Sequence, residues 1–448
     1  MVSPARVDQR LGWGGLAVIA LGLLLRFYYV SIAEVDQPLR ADASQYFLIA
    51  LNVKNFATFS TSVPTAEGVA PDSYRAPGYP ALIAVLSRVF GSNENTYWSI
   101  LLLQCLLGAA TVALTLLLAL RIMPIPWAYT AGLLAAVWPH MITLGGYVLT
   151  ETAFGFLVIL SAYTLVLMLE RPGWRAPIVA GLSVAAAALV NQIMLGFSIP
   201  LVVWLCLRRR SWRIVLFALL ALGPPALWAV RDAHTKTESR MSGSVRLIEN
   251  VLTGMEPDFI PRYKDARDPA AMAARERIAT GQQVYMKDHA AAFADMWKRL
   301  TSEPGRLAWW YMSKPARFWT WSIFQGHGDV YVYPMLVAPF DSNPVLRVMA
   351  SVCHGLNPVI MLAAFAGVLA VLRRRAADSF NAAAVVVMSL FVYATVLHTI
   401  LNPDARYAVP FRPFEFVLAA LAASVVSGKV STRRRALAPR RTVDSDGS

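Results

Sequence analysis

The sequence predicts an all-α polytopic membrane protein of about ten transmembrane helices, with further helices lying beside the membrane on its outward face. Three observations predict it. Of 448 residues, 57% are hydrophobic and only 15% are charged. The apolar residues fall in repeated runs near the ~20 residues that a helix needs to cross a bilayer. The runs are continuous and rich in Leu, Ala and Val rather than strictly alternating, which favours helices over a barrel.

The first run, "LGWGGLAVIALGLLLRFYYVSIA" (11–33), follows basic residues as a secretory signal would. It is long for a signal core, carries Arg26 and lacks a small-residue cleavage site, so it reads as a retained first helix. Further spans are expected at 97–120, 126–143, 150–169, 176–190, 193–207, 213–230, 348–372, 381–400 and 407–428. With ten spans, the basic clusters of the short connections all fall on one side: Arg6 and Arg10, Arg121, Arg171 and Arg175, Arg208–Arg210 with Arg213, Arg373–Arg375, and Lys429 with Arg433–Arg435. The positive-inside rule makes that side the cytoplasm, with both termini inside and the segments 34–96 and 231–347 outside. A bacterial inner membrane is the expected location.

The formal charge of +14 does not point to nucleic acid, because the Lys and Arg are spread over membrane-flanking loops and no nucleic-acid module is present. Anionic headgroups are the partner that such a distribution suits. Cys105, Cys206 and Cys353 all lie in apolar segments, which leaves no disulfide framework and no cysteine zinc site.

The two outward segments break the hydrophobic rhythm. The first holds an amphipathic piece near 42–56, the polar stretch "STSVPTAEGVAPDS", and "YRAPGYPALIAVLSRVFG", which is too short for a comfortable span and reads as a helix at the interface. The second holds polar helical stretches and then "PGRLAWWYMSKPARFWTWSIF". There, Trp309, Trp310, Trp319 and Trp321 interleave with Arg306, Lys314 and Arg317 as a headgroup-level belt, where a lipid phosphate can be held or where the chain is merely anchored. The tail 429–448 is short, polar and expected to be disordered.

Five short elements occur in a telling order: "ADASQYFLIA" after the first helix, "YRAPGYP", "VLTETAFGFL", "PPALWAVRD" and "ARYAVPFRPF". Together they resemble the GT-C superfamily of polyprenyl-phosphate-dependent glycosyltransferases, and within it the bacterial branch related to protein O-mannosyltransferases and lipid A aminoarabinose transferases. The resemblance extends to about residue 428, giving one catalytic unit over 1–428. It implies an inverting membrane enzyme that moves a sugar from a polyprenyl-phosphate carrier to an acceptor on the non-cytoplasmic face. An envelope glycan, a lipid or a protein would each be a compatible acceptor.

The residues suit that chemistry. An acceptor hydroxyl needs a base, and a carboxylate partly withdrawn from water, with a raised pKa, is a good one. Asp42 matches the family's first-loop aspartate and is the candidate base, although an acid in that position also caps helices or simply faces water. Tyr46 lies one turn on, and Tyr79 stands in "YRAPGYP"; both are expected to shape the cavity. Arg75, Arg231 and Arg406 recur at outward helix ends and, with Arg317, are candidates for the donor phosphate, since the guanidinium fork matches phosphate oxygens. For any one of them, snorkelling at the boundary is the alternative.

In the family an acid at the position of Glu151 lines the cavity, which implies acceptor binding or help to the base; a dipole role at the helix start competes with that. His398 is a further cavity candidate. His398 and His327 lack a metal-ligand spacing, so a divalent metal is left open as a cofactor. Two other functions stay compatible with the topology: an O-antigen ligase or polymerase type of enzyme, and a polytopic lipid or sugar transporter. A transporter would be expected to show paired internal repeats, which the sequence lacks.

Overall fold

The computed structural model describes residues 5–437 except 67, 209–210, 236–241, 258, 266 and 377–380. It is almost wholly helical, as expected. The first of the two segments expected to face outward follows α1 (Ala5–Ile32) and contains α2 (Ala41–Phe56) and α3 (Gly78–Phe90). Then come α4 (Asn93–Ile122), α5 (Ile125–Val137), α6 (Pro139–Thr143), α7 (Thr150–Glu170), α8 (Arg175–Val190), α9 (Ile193–Arg208) and α10 (Trp212–His234). The second outward segment holds α11 (Gly243–Met255), α12 (Phe259–Arg262), α13 (Pro269–Lys287), α14 (His289–Ser302), α15 (Pro304–Phe318) and α16 (Pro339–Ser342). The chain closes with α17 (Pro344–Ala376), α18 (Ala382–Ile400), α19 (Ala405–Ala408) and α20 (Arg412–Leu437).

Among the described residues, seven segments are long and apolar enough to cross a membrane: those of α1, α4, α7, α10, α17, α18 and the stretch Ala405–Gly428. The other three expected spans form the shorter apolar helices α5, α8 and α9. At 1.5 Å per residue the 16 residues of α8 reach only ~24 Å, and α5 breaks at Trp138–Pro139 before α6 continues it. The stretch foreseen as an interfacial helix is α3. Helix α20 runs on to Leu437 through the start of the expected tail, whereas 438–448 lie outside the described residues.

The span Ala405–Gly428 is 72% buried and stands at the centre, against 22% for α10 at the periphery. Between lipid-facing helices apolar burial supplies little drive, so close packing at small residues does the work. Gly367 of α17 lies so close to the Leu418 carbonyl of α20 that no Cβ would fit there. Arg26, inside the first span, crosses α4 over Gly108 and donates to the carbonyls of Gly22, Ala135 and Ala136. Those bonds offset the cost of a guanidinium at membrane depth.

The outward segments knit together above this bundle. A two-stranded antiparallel sheet joins β1 (Glu34–Val35) to β2 (Met335–Val337), and Ser73 pairs with Ser242. The second segment also has a small apolar core of its own, formed by Ile248, Leu252, Met255, Phe259, Ala274, Ile278, Met296 and Trp310. The tryptophan belt is only partly a belt. Trp309 is exposed, but Trp310, Lys314 and Phe318, spaced one turn apart along α15, are buried, as are Trp319 and Trp321.

Candidate active site

Four separate segments bring their charged side chains to one place. Asp42 lies in the first turn of α2, Arg75 in the loop before α3, Glu151 in the first turn of α7, and Arg406 in α19. Arg75 Nη2 donates to Asp42 Oδ1 at 2.5 Å and Arg406 Nη2 to Asp42 Oδ2 at 3.0 Å. Arg406 Nε also donates to Glu151 Oε1. The Arg406 guanidinium therefore stands between the two acids. Side-chain exposure is 3% for Arg75, 12% for Arg406 and 6% for Glu151, but 31% for Asp42, so the cluster opens outward at Asp42.

Local structure holds each member. The residue capping α2 is Arg40, which makes no side-chain cap bond, so Asp42 is not acting as that helix's N-cap. Ala41, just before it, has φ of 48°, a left-handed backbone that a residue with Cβ adopts at a cost of about 1 kcal/mol. Arg75 is fixed by two further acceptors, Gln45 Oε1 at 2.7 Å and Tyr46 OH at 3.2 Å. Tyr79 stands behind, edge-on to Tyr46, and gives its hydroxyl to Gln104 at 2.9 Å; Gln104 in turn donates to the carbonyls of Gly145 and Tyr147. On the other side Asp404 accepts from Arg406 N at 2.9 Å and from Gln325 N at 2.7 Å, which ties α19 to the second outward segment.

One expectation is reversed. The sequence reading asks for a base with a raised pKa. Burial does push the Asp42 carboxyl up, but the charges of Arg406, Arg75 and Arg246 and the Arg75 hydrogen bond outweigh it, holding the group well below the usual carboxylate range. As it stands, Asp42 is an ionised carboxylate clamped by cations, because the same arginines that suit a phosphate find a carboxylate first.

Arg231, Arg317 and His398 are not part of the cluster. Arg231 donates to the carbonyls of Asp72 at 2.5 Å and Phe59 at 3.3 Å, pairs with Asp232 at 3.0 Å, and lies over the rings of Phe59 and Trp228. It fastens the first outward loop to α10. Arg317 gives Nε to Ser313 at 3.1 Å and lies over Trp310. His398 is buried, stacked on Phe318 and Tyr407, with Nδ1 2.9 Å from the Asn402 carbonyl.

Other residues enter the site that no sequence motif marks. Tyr333 is buried close enough for the charges of Asp42, Arg406 and Glu151 to act on it, and burial followed by Asp42 pushes its pKa up, so its hydroxyl stays a donor. Arg246, on the amphipathic helix α11, is the third cation acting on Asp42. Its signal, a lone Arg beside an apolar stripe, is too common to have been singled out.

Asp42 and Glu151 are the two acids of the cluster. Each already accepts from Arg406, whose guanidinium occupies the position between them that a cation would take. Among the described residues no three His, Cys, Asp or Glu side chains come together as ligands.

Residues 74–228 match the model of the dolichyl-phosphate-mannose-protein mannosyltransferase family, a stretch that contains Arg75 and Glu151. No curated protein matches the sequence. Among solved structures, the oligosaccharyltransferase AglB of Archaeoglobus fulgidus, in complex with an inhibitory peptide and a dolichol-phosphate, aligns over 96% of this chain with TM-score 0.52 at 15% identity. The fold is of the GT-C type. The apo form of the Archaeoglobus oligosaccharyltransferase gives the same result, with TM-score 0.51 and 14% identity over 95% of this chain. The chain spans about half the length of these archaeal proteins, 52% in each alignment. ArnT of Cupriavidus metallidurans bound to undecaprenyl phosphate aligns over 95% of this chain and 80% of its own, at 14% identity and TM-score 0.37. In this GT-C fold the charged cluster is built from α2, the loop before α3, α7 and α19, so it uses both ends of the chain.

Proposed function

We propose that this protein is an inverting glycosyltransferase that moves a sugar from a polyprenyl-phosphate carrier to an acceptor hydroxyl on the non-cytoplasmic face of a bacterial inner membrane. The observation that carries the reading is the partly buried carboxylate of Asp42 held between Arg75 and Arg406 at one end of a lipid-embedded bundle. A base and two phosphate-binding forks are thereby within one side-chain length of each other.

Asp42 takes the proton of the acceptor hydroxyl as its oxygen attacks the anomeric carbon. The bond from that carbon to the carrier's phosphate oxygen breaks, and its electron pair leaves with the phosphate. A single displacement of this kind inverts the anomeric centre. Negative charge grows on the phosphate, where the guanidinium groups of Arg75 and Arg406 stabilise it. Glu151 keeps the buried Arg406 in place. Tyr333 supplies a neutral donor at the mouth.

The direct test is transfer from a panel of radiolabelled polyprenyl-phosphate sugars to membrane acceptors, in native protein and in Asp42→Asn at equal expression. Transfer by the native chain that disappears in the variant is the expected result. Undiminished transfer by Asp42→Asn would remove Asp42 from the chemistry.

A further inference from the structure

The cluster contains an imbalance that the proposed chemistry has not used. Three guanidinium groups, Arg75, Arg406 and Arg246, act on Asp42, while Glu151 engages Arg406 and Glu249 acts on Tyr74. Arg75 and Arg406 are both committed to ion pairs. Arg246 is half-buried on α11 and, among the described residues, makes no ion pair. Its guanidinium carbon lies 5.9 Å from the centre of the Tyr74 ring, and that of Arg75 lies 5.3 Å from the same ring. Two cations thus share one aromatic ring, and among the described residues only Arg75 of the two is in an ion pair. The ring attracts each cation, but the cations repel one another, so the arrangement favours an anion that bridges them.

We propose that Arg246 receives the donor's phosphate together with Arg75, and that the passage of Arg75 from Asp42 to that phosphate is what frees the base for the acceptor. This rests on the reading of the site as a polyprenyl-phosphate transferase. Arg246 is the cation available to an arriving phosphate, since the other two must first give up a carboxylate. Once the phosphate bridges Arg246 and Arg75, Asp42 Oδ1 loses its shortest hydrogen bond, and the oxygen becomes open to a hydroxyl proton. The planar guanidinium moves as one group, so Arg75 also exchanges its bonds to Gln45 and Tyr46 as it turns from Asp42 toward the phosphate. The donor therefore binds before the acceptor can be activated.

The test uses the full chain in nanodiscs of zwitterionic lipid, with undecaprenyl phosphate carrying no sugar as the probe and inorganic phosphate as the comparison. Loss of one charge-assisted hydrogen bond, worth ~1.5–3 kcal/mol, predicts that Arg246→Gln weakens lipid-phosphate binding about tenfold or more. Arg246→Lys recovers part of it, and melting temperatures stay together, which a merely structural role for Arg246 would not give. Infrared spectra of the native chain with isotopically labelled aspartate, assigned through Asp42→Asn, then show the Asp42 carboxylate band moving on loading. Equal affinity in Arg246→Gln, or a band that stays in place although the lipid is bound, overturns the proposal while leaving the transferase reading intact. Failure of the native chain to bind the lipid phosphate overturns that reading, and the proposal with it. Inorganic phosphate that binds as tightly as the lipid would show the cradle to be a free-phosphate site, which also overturns it.

Discussion

Arg406 donates to Asp42 at 3.0 Å across 364 positions of sequence, and the same guanidinium also donates to Glu151. The last part of the chain thereby supplies the cation that links the acid of the first outward helix to the acid of α7. Removing the acid therefore tests chemistry and architecture at once. In Asp42→Asn the fold survives, because Arg406 keeps Glu151 and Arg75 keeps Gln45 and Tyr46. Transfer falls by the ~10²–10⁴ that a general base contributes. Binding of undecaprenyl phosphate persists or tightens, since a competing anion has gone. Single-turnover transfer and lipid binding on the same preparation check both.

Arg406→Lys keeps the charge and loses the fork. A lysine reaches one acid and not both, so Glu151, only 6% exposed, is left buried with its charge poorly matched. Breaking a buried pair costs roughly 3–5 kcal/mol when one partner is removed outright, and the lysine recovers part of that. The expected outcome is a lower melting temperature together with transfer at least tenfold below native. Glu151→Gln, which leaves Arg406 its bond to Asp42, loses less of both. If Glu151→Gln were the more damaging of the two, Glu151 would have a direct role toward the acceptor.

Arg231 behaves differently from Arg75 in spite of its similar sequence setting. Its partners are the carbonyls of Phe59 and Asp72, so Arg231→Gln loosens the first outward loop. The expectation is faster proteolysis between residues 57 and 73 and a loss of about 1–3 kcal/mol of stability, with lipid-phosphate affinity changed less than by Arg75→Gln. An affinity loss as large as that of Arg75→Gln, with the loop no more open to protease, would place Arg231 at the phosphate after all.

Much of this architecture is legible in the chain because a bilayer demands apolar runs: of the ten expected, seven form helices long enough to cross and three form shorter apolar helices. The site is legible in part: Asp42, Arg75, Glu151 and Arg406 stand in recognisable order. Their mutual distances are not, since an ion pair spanning 364 positions depends on how α19 sits against α2. The reversed pKa of Asp42 has the same origin, because position alone gives burial and omits the partner's charge. The tryptophan-rich stretch departs from the expected belt for another reason. Composition makes it a headgroup belt, but at helical period 310, 314 and 318 share the buried face and 309 and 312 the exposed one.

Lys314 gives that buried face a pH dependence. Among the described residues its ammonium has no carboxylate partner: Nζ donates to the carbonyls of Leu401 at 3.1 Å and Ile400 at 3.4 Å, at the end of α18, and lies 3.9 Å from the centre of the Tyr311 ring. Burial pulls its pKa down from 10.5 to about 7. Below pH 7 the group is charged in both folded and unfolded chains, and folding carries the full cost of burying that charge. Between pH 7 and 10.5 the unfolded chain binds the extra proton, so stability rises with pH across that window. Thermal melts in detergent from pH 6 to 9.5 should show the native protein gaining stability relative to Lys314→Met above pH 7, and running parallel to it below. Parallel curves throughout would mean that the lysine keeps its charge in the fold, stabilised by the two carbonyls and the Tyr311 ring alone.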